Sequence, residues 1–230
     1  MRAAAALNMA LHIAGQSTVF QSQQPQSIQI QPSILYYGTP VALITTLNAD
    51  GSPNISPMSS SFALGDRVVL GMAEGGQGLD NLRRTGECVI NLPSPALWRA
   101  VEKLAPTTGS RPMPQYKNAL GYRYVPDKFG CAGLRPLPSL CVGPPRIAEC
   151  PLQLEARLLV AHPAQAADAR EPPPDFCILE TRVVQTHAHR DIVIDGSQHV
   201  DPVRWQPLLY VFRHYFGTGA RLGRTFKAEY

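Results

Sequence analysis

The sequence lacks several features that define common classes of protein. It has no run of about 20 apolar residues, which a membrane-spanning helix needs. It has no glycine fingerprint of the kind that opens a dinucleotide-binding helix. Its five cysteines are odd in number, widely spaced and without a Cys-x-x-Cys pair. We therefore expect no membrane span, no zinc site and no secreted disulfide framework, and the cysteines are typical of reduced cytoplasmic thiols.

Concentrated charge is also missing. The net charge is +4 and the isoelectric point is about 8.9, but the basic residues are scattered along the chain. This distribution argues against a nucleic-acid surface and suits a small anionic ligand. His187 and His189 alternate on a predicted strand, but no carboxylate or cysteine completes a metal set with them, so we predict no metal.

What the sequence does contain favours one β-rich domain. The 22 prolines and 18 glycines suit short strands joined by turns, and 230 residues fit a single domain. Residues 20–32 are rich in glutamine and poor in hydrophobic periodicity. We therefore predict a disordered or arm-like extension over residues 1–32 and a folded domain over residues 33–230.

A β-hairpin is predicted over residues 41–61. Residues 41–46 are rich in β-branched side chains, and Asp50-Gly51 tolerates the positive φ of a hairpin turn. The second arm contains Pro53 and Pro57, so it cannot be a central strand, and we expect it to be interrupted. Unpaired backbone groups near Pro57 would then be available to a ligand.

The next segment has the order of an anion site. A strand is predicted over residues 67–72, a glycine-rich loop over residues 74–78 and a helix over residues 79–84 that ends at Gly86. Loop amides and the first amides of a helix together bind anions. The insertion over residues 93–131 is predicted to be helical at residues 96–104 and then irregular, and it should lie over a site or at an interface. Further strands are predicted at 87–92, 152–161, 176–186 and 209–212, with an exposed loop over residues 163–175.

Ordered blocks through the chain resemble the flavin reductase-like family, which has the FMN-binding split-barrel fold. They include the hairpin, Asn81–Ser94, Asp127–Phe129, Glu149–Ala156, His199–Pro202 and Phe212–Gly217. The resemblance implies a mainly β, antiparallel split β-barrel with a few peripheral helices. It also implies a cytoplasmic homodimer that completes each site with both chains, FMN as cofactor and NAD(P)H as transient donor.

The resemblance assigns candidate site residues. Segment 56–61 would face the flavin ring, although serines there can also simply terminate a strand. Lys128 would bind a phosphate or a pyridine nucleotide, or else be a surface lysine. His214 and Tyr215 are the candidate catalytic acids, with a structural role as the alternative. The positions assigned to cofactor binding are Thr45, Asn54, Pro57, Met58, Ser59, Ser60, Ser61, Gly76, Gln77, Gly78, Asn81, Asn91 and Lys128.

The phosphate loop departs from the family pattern. Gly76, Gln77 and Gly78 stand where members usually carry Ser, Lys and Thr. Losing one charge-assisted hydrogen bond weakens binding by roughly 1.5 to 3 kcal/mol. Arg83, Arg84 or the extra glycine amides are alternative anion partners. On this interpretation, Gln77→Lys together with Gly78→Thr would restore FMN affinity.

Three functions remain open at this point. The resemblance implies an FMN-dependent oxidoreductase that passes electrons from NAD(P)H through flavin to a small acceptor. A second possibility is a protein that carries flavin without turnover. A third is a split-barrel protein with a weakened phosphate site that acts on or binds another small molecule without flavin turnover.

Overall fold

The computed structural model describes residues 27–166 and 175–225. Contacts divide the chain into residues 1–33 and residues 34–230. In the first unit, residues 27–33 are exposed and contain no helix or strand. Most of the predicted N-terminal arm, residues 1–26, and most of the predicted loop over residues 163–175 lie outside the described residues.

The described part of residues 34–230 contains fourteen strands, several of them only two residues long. They are β1 Tyr37–Pro40, β2 Ala42–Leu47, β3 Pro53–Met58, β4 Ser61–Leu64, β5 Arg67–Ala73, β6 Glu87–Leu92, β7 Thr107–Thr108, β8 Arg123–Tyr124, β9 Pro136–Leu137, β10 Arg146–Ile147, β11 Leu152–Pro163, β12 Phe176–Ala188, β13 Leu209–Val211 and β14 His214–Phe216.

Four short α-helices accompany these strands: α1 Gln77–Thr85, α2 Trp98–Leu104, α3 Gln115–Ala119 and α4 Lys128–Ala132. Two 3₁₀ turns lie at Pro95–Leu97 and Arg190–Ile192. Among the described residues, no helix is long and apolar enough to cross a membrane. The insertion, which was predicted to be helical first and then irregular, contains α2 and α3, and α4 begins within it.

The main sheet has seven antiparallel strands in the order β3-β2-β6-β11-β12-β5-β4. The strands β11 and β12 form its long central hairpin, in which Leu152 pairs with Ala188 and Pro163 with Cys177. Smaller sheets join β1-β13-β14, β9-β10 and β7-β8. The mainly β architecture agrees with the prediction from the sequence.

Strand β2 separates two hydrophobic cores. Ala42 and Ile44 face a core formed largely by α1 and the central strands, whereas Val41, next to β2, and Leu43 face a second core under α2 and α4. Successive strand residues point to opposite faces, so a strand buried on both faces must be apolar at every position. This burial explains the unbroken run of β-branched and aliphatic residues in the first arm of the hairpin.

The prediction that the second arm is interrupted was wrong. Strand β3 runs through Pro53 and Pro57, which pair with Leu47 and Leu43 of β2. The prolines are tolerated because β3 lies at the edge of the sheet, where one side of the strand has no ladder to complete. The expectation that this arm is not a central strand is confirmed.

The turns and helix ends follow local rules. Gly51 has a φ of 83°, and its amide donates to the carbonyl of Asn48, which confirms the hairpin turn. Gly86 has a φ of 71° and caps α1 through the carbonyl of Leu82, also as predicted. Helix α1 begins at Gln77 rather than at Leu79, so Gln77 and Gly78 form its first turn.

We expect deletion of residues 1–32 to leave the melting temperature unchanged, because residues 27–33 are exposed and lie outside the unit formed by residues 34–230. Scanning calorimetry of the full chain and the truncated chain would measure this. A deletion through Pro40, which also removes β1, is the control and should destabilise the protein. A loss of several degrees on the shorter deletion would contradict the prediction.

Candidate functional site

A cleft of about 360 Å³ lies where β3 leaves the main sheet. It is lined by the end of β3 and the residues after it, the end of β5, the first turn of α1 and parts of the insertion. Eight of the predicted site residues line this cleft, and they come from three separate stretches of the chain. They are Pro57, Met58, Ser59, Ser60, Gly76, Gln77, Gly78 and Lys128.

The serine segment both ends a strand and lines the cleft. Ser59 and Ser60 connect β3 to β4. The Ser60 hydroxyl is 2.7 Å from the hydroxyl of Tyr36, and the Ser60 carbonyl accepts from the amide of Gly71 at 2.7 Å. Because β3 is an edge strand, backbone groups along its outer side are available to a ligand. Ser61 lies instead in an adjoining groove.

Gly78 is closely packed against two side chains. A Cβ atom there would lie 2.4 Å from the Ser56 hydroxyl oxygen and 2.9 Å from the terminal methyl of Met72. The first turn of α1 therefore lies close to β3, and a side chain at position 78 would displace the ends of these two side chains. Gly78→Thr would need the Ser56 hydroxyl and the Met72 methyl to move, and its effect on FMN affinity stays a prediction.

The side chain of Gln77 forms a hydrogen bond within its own helix. Its Nε2 atom donates to Oδ1 of Asn81 at 2.9 Å, one turn further along α1. Gly76, at the N-cap, offers no side chain to cap the helix. The amides of the first helical turn have no carbonyl four residues earlier to bond, so α1 presents its amino end to the cleft.

The insertion brings a lysine to the glycine loop that sequence reasoning missed. Lys117 of α3 is 9% exposed and lines the cleft. Its ammonium donates to the carbonyl of Gly75 at 3.2 Å and to the Thr108 hydroxyl at 3.3 Å. Burial lowers the pKa of Lys117, and the charge of Asp80 partly opposes that effect. The separation of about 40 residues along the chain left no local motif to reveal this contact.

Lys128 is buried, so the alternative of a surface lysine is wrong. It is 3% exposed, and its ammonium donates to the carbonyl of Ile55 on the outer edge of β3 at 2.7 Å. Burial, and secondarily the positive charge of Lys117, lowers the pKa of Lys128 to about 8. Helix α4 positions this lysine through its N-cap, where the carboxylate of Asp127 accepts from the amide of Gly130.

The cleft thus carries positive charge without a neutralising carboxylate in its lining. Among the described residues that line it, two are lysines and none is acidic. Buried lysines are uncommon unless they are paired, because moving an ammonium group out of water costs on the order of several kcal/mol. An anionic ligand in the cleft would relieve this cost.

The predicted alternative cations lie elsewhere. Arg83 makes two hydrogen bonds of 2.7 Å to the carboxylate of Glu74. Arg84 donates to the carbonyl of Leu47. Neither arginine lines the cleft. The expectation that one of them replaces the missing family lysine is therefore not supported by their positions.

Four residues that were predicted to bind the cofactor are buried, do not line the cleft and form hydrogen bonds within the protein. Asn91 donates to the carbonyl of Leu43 and accepts from the amide of Ile147, so it joins three segments of the fold. Asn54 donates to the Ser56 hydroxyl, while its Oδ1 atom is buried without a hydrogen-bond partner. Like these two, Thr45 and Asn81 do not line the cleft, and they hydrogen-bond to neighbouring strands and turns.

The structure does not bring His214 and Tyr215 to the cleft. Both line a separate groove with Trp98 and Leu208. The Tyr215 hydroxyl donates to a carboxylate oxygen of Glu102 at 3.0 Å. Burial, together with this hydrogen bond, raises the pKa of Tyr215, so the phenol holds its proton firmly. Their assignment as catalytic acids has no geometric support from this cleft and stays a prediction.

His187 and His189 form hydrogen bonds with different parts of the protein. Nε2 of His187 lies 2.6 Å from Oε1 of Glu155, a carboxylate that the sequence analysis did not find. His189 lies after β12 and bonds to the carbonyl of Ala148. Within residues 27–166 and 175–225, no group of three or more potential metal ligands was found.

An apolar groove of about 630 Å³ adjoins the cleft. Tyr36, Ser59 and Ser60 line both cavities, so the Tyr36 to Ser60 hydrogen bond lies at their boundary. The groove is otherwise lined mostly by exposed aromatic and aliphatic side chains, including Tyr37 and Phe62. Sequence reasoning missed Tyr36, which precedes β1 and belongs to no local motif.

The chain is an antiparallel split barrel with a cationic cleft at an edge strand, which matches the fold expected from the sequence. The flavin reductase like domain matches residues 34–219. The chain therefore belongs to the flavin reductase-like family, and the prediction of both family and fold is confirmed.

Three similar proteins frame this membership. An uncharacterized protein, YdfE, of Bacillus subtilis (strain 168) is 47% identical over 201 residues, which are 87% of this chain and 94% of that protein. The structure of flavoredoxin of Desulfovibrio vulgaris (Miyazaki F) has a TM-score of 0.69 at 20% identity, covering 89% of this chain and 99% of its own. An FMN-binding domain of a flavin reductases-like enzyme from Shewanella baltica OS155 has a TM-score of 0.58 at 15% identity, covering 81% and 90%.

We expect Lys128→Met to alter the pH dependence of stability. The pKa of Lys128 is about 8 in the folded protein against an ordinary value of 10.5, so the buried ammonium destabilises the fold below pH 8. Wild-type stability should gain from this group as pH rises from 8 to 10.5, by roughly 3 kcal/mol at most. Lys128→Met should lack that gain.

Urea unfolding between pH 7 and pH 10 would measure the difference. Lys103→Met is the control, since Lys103 is exposed on α2 and should leave the wild-type profile intact. Only the pH dependence matters, because Lys128→Met also removes the hydrogen bond to Ile55 at every pH. Parallel profiles for wild type and Lys128→Met would contradict the prediction.

Proposed function

We propose that the protein is an FMN-dependent oxidoreductase that passes electrons from NAD(P)H through flavin to a small acceptor. The observation that supports this most is the cationic cleft at the edge of β3, in a chain of the flavin reductase-like family. The name of the Shewanella baltica neighbour describes an FMN-binding domain of the same fold. Family and cleft chemistry thus point to the same ligand.

The residues present fit FMN in their chemistry. A flavin needs hydrogen-bonding groups for its polar edge, an anion site for its phosphate and an apolar wall for its ring. Ser59 and Ser60 would supply the first, and Met58 and Met72 would supply the apolar contact. The amino end of α1 would lie toward the phosphate, since helix amino termini favour negative charge.

When bound, FMN would supply hydride acceptance and electron donation. The protein would supply binding, orientation and control of access. The hydrogen bond between Tyr36 and Ser60 would fix the hydroxyl of Ser60 at the boundary of the cleft. The buried lysines would favour negative charge on a ligand in the cleft because the ammonium groups lie in a low-dielectric environment.

The adjoining apolar groove is our candidate for the region where donor and acceptor approach. It shares Ser59, Ser60 and Tyr36 with the cleft, so a molecule there would lie next to the cofactor. Its lining by Tyr37, Phe62 and other apolar residues would favour a planar or apolar acceptor.

A specific observation favours a second candidate function. Gln77 and Gly78 replace the usual Lys and Thr of the family, and neither provides a side-chain anion contact. A split-barrel protein with this change would bind another small molecule without flavin turnover. The two lysines from the insertion weaken this alternative, since they place positive charge in the same cleft.

We further propose that the chain acts as a homodimer in the cytoplasm. The exposed apolar side chains of the groove, Leu35, Tyr37, Phe62, Phe176 and Ile178, would be covered in part by a partner, which would leave the end next to the cleft open to donor and acceptor. All five cysteines are free, which suits a reducing compartment.

The oxidoreductase proposal predicts a coloured protein. We expect the purified full chain, alone or after incubation with FMN and desalting, to show the visible absorbance bands of flavin and to oxidise NADH or NADPH. Apoprotein without added FMN is the control for turnover. Bound flavin without NAD(P)H oxidation would favour a carrier, and failure to retain or bind any flavin would overturn the flavin assignment in favour of the second candidate.

The dimer proposal predicts a mass in solution of twice 25.1 kDa. Light scattering coupled to size-exclusion chromatography at micromolar concentration would measure it. Phe62→Glu, a charge placed in the apolar groove, should shift the mass toward that of one chain. A wild-type protein that elutes with the mass of one chain would contradict the proposal.

A further inference from the structure

The two lysines of the cleft are unusual because each is buried and, among the described residues, neither has a carboxylate within ion-pair distance. Lys117 is 9% exposed and Lys128 is 3% exposed. Within the described part of the chain, neither forms an ion pair. Their positive charges are close enough that Lys117 lowers the pKa of Lys128. Such an arrangement is costly for the fold alone and favourable for an anion placed between them.

Both ammonium groups keep donors for a ligand. An ammonium has three N–H donors. Lys117 uses its donors for the Gly75 carbonyl and the Thr108 hydroxyl, and Lys128 uses one for the Ile55 carbonyl. At least one donor of each lysine thus lacks a partner among the described residues. Both side chains line the same cleft.

The insertion delivers Lys117 to the loop where the family usually has its own cation. Lys117 contacts the carbonyl of Gly75, directly before the N-cap of α1. Two more polar contacts hold the insertion on this loop, from the hydroxyl of Tyr116 to the Glu74 carbonyl and from the hydroxyl of Ser110 to the Gly75 carbonyl. The cation is therefore positioned by several contacts and not by one flexible side chain.

The position that normally carries this role cannot do so here. The side-chain amide of Gln77 donates to Asn81 and carries no charge, and Gly78 has no side chain to contact an anion. Thr108, whose hydroxyl accepts from the Lys117 ammonium, also lines the cleft. A lysine and a threonine are thus both present, but they come from the insertion.

We propose that Lys117, supported by Thr108 and Lys128, binds the phosphate of FMN in place of the lysine and threonine missing from the α1 loop. This inference rests on the proposed function, since it concerns the same cleft. It gives the insertion a defined task, which is to complete the phosphate site from outside the usual motif. It also makes the protein selective for FMN over riboflavin, which lacks the phosphate.

A titration of the full-length protein with FMN and with riboflavin tests the assignment. Lys117→Gln removes the charge and keeps an N–H donor on a side chain that is one atom shorter. We expect it to weaken FMN binding roughly ten- to hundredfold and to leave riboflavin binding unchanged. Lys117→Arg should retain most of the FMN affinity, and FMN binding to Lys117→Gln should depend less on salt.

The controls separate this role from a structural one. Lys103→Gln, an exposed lysine on α2, should bind both ligands as the wild type does. Thermal melts of each variant check folding, and Thr108→Val is a second variant that should reduce FMN affinity without removing charge. Equal weakening of FMN and riboflavin in Lys117→Gln would mean a merely structural lysine and would overturn the inference.

The test also distinguishes the inference from the proposed function. If the wild type binds both flavins and Lys117→Gln binds FMN unchanged, the flavin assignment stands and the Lys117 assignment falls. If the wild type binds neither flavin, the proposed function falls and this inference falls with it. A selective loss of FMN affinity, with riboflavin unaffected, supports both.

Discussion

The outer edge of strand β3 is the constraint on which the site depends. An edge strand presents unpaired amides and carbonyls that must be covered or solvated. Here the insertion covers part of that edge, and the ammonium of Lys128 bonds to the carbonyl of Ile55. Beyond the covered part, the edge continues into Ser59 and Ser60, which line the cleft. Part of the edge is covered and part is open. The open part forms a wall of the cleft, and the covering segment brings the positive charge of Lys128 to it.

The buried positive charge lowers the stability of the fold and favours the binding of an anion. Lys117 and Lys128 lie in a part of the protein where burial lowers the pKa of each. A protein selected for stability alone would place apolar side chains there, since burial of unpaired charge is unfavourable. The cleft instead keeps two ammonium groups in its lining. Sites that bind tightly are commonly built at such a local cost, which the ligand then removes.

Local rules in the sequence predicted much of the fold and only part of the site. The Asp50-Gly51 turn, the Gly86 cap and the strand patterns depend on neighbouring residues, so the sequence indicates them directly. The cleft residues of segments 57–60 and 76–78 were found because they lie in continuous motifs. Lys117 and Tyr36 could not be found in this way, since only tertiary packing brings them to the cleft. Conversely, Asn91 occupies a motif position, but its side-chain amide forms hydrogen bonds with the backbone of Leu43 and Ile147.

The departure from the family motif is best understood as a set of linked changes. With glycine at position 78, α1 packs directly on Ser56, and a Cβ atom there would lie 2.4 Å from the Ser56 hydroxyl oxygen. Gly109 permits a similar approach, because a Cβ atom on it would lie 2.6 Å from Oδ1 of Asn54 and 3.1 Å from Cγ of Gln77. The insertion is therefore packed against both the strand and the first turn of the helix. Once the insertion lies this close, a lysine carried by it reaches the glycine loop, and a lysine at position 77 is no longer needed to bring positive charge to the cleft.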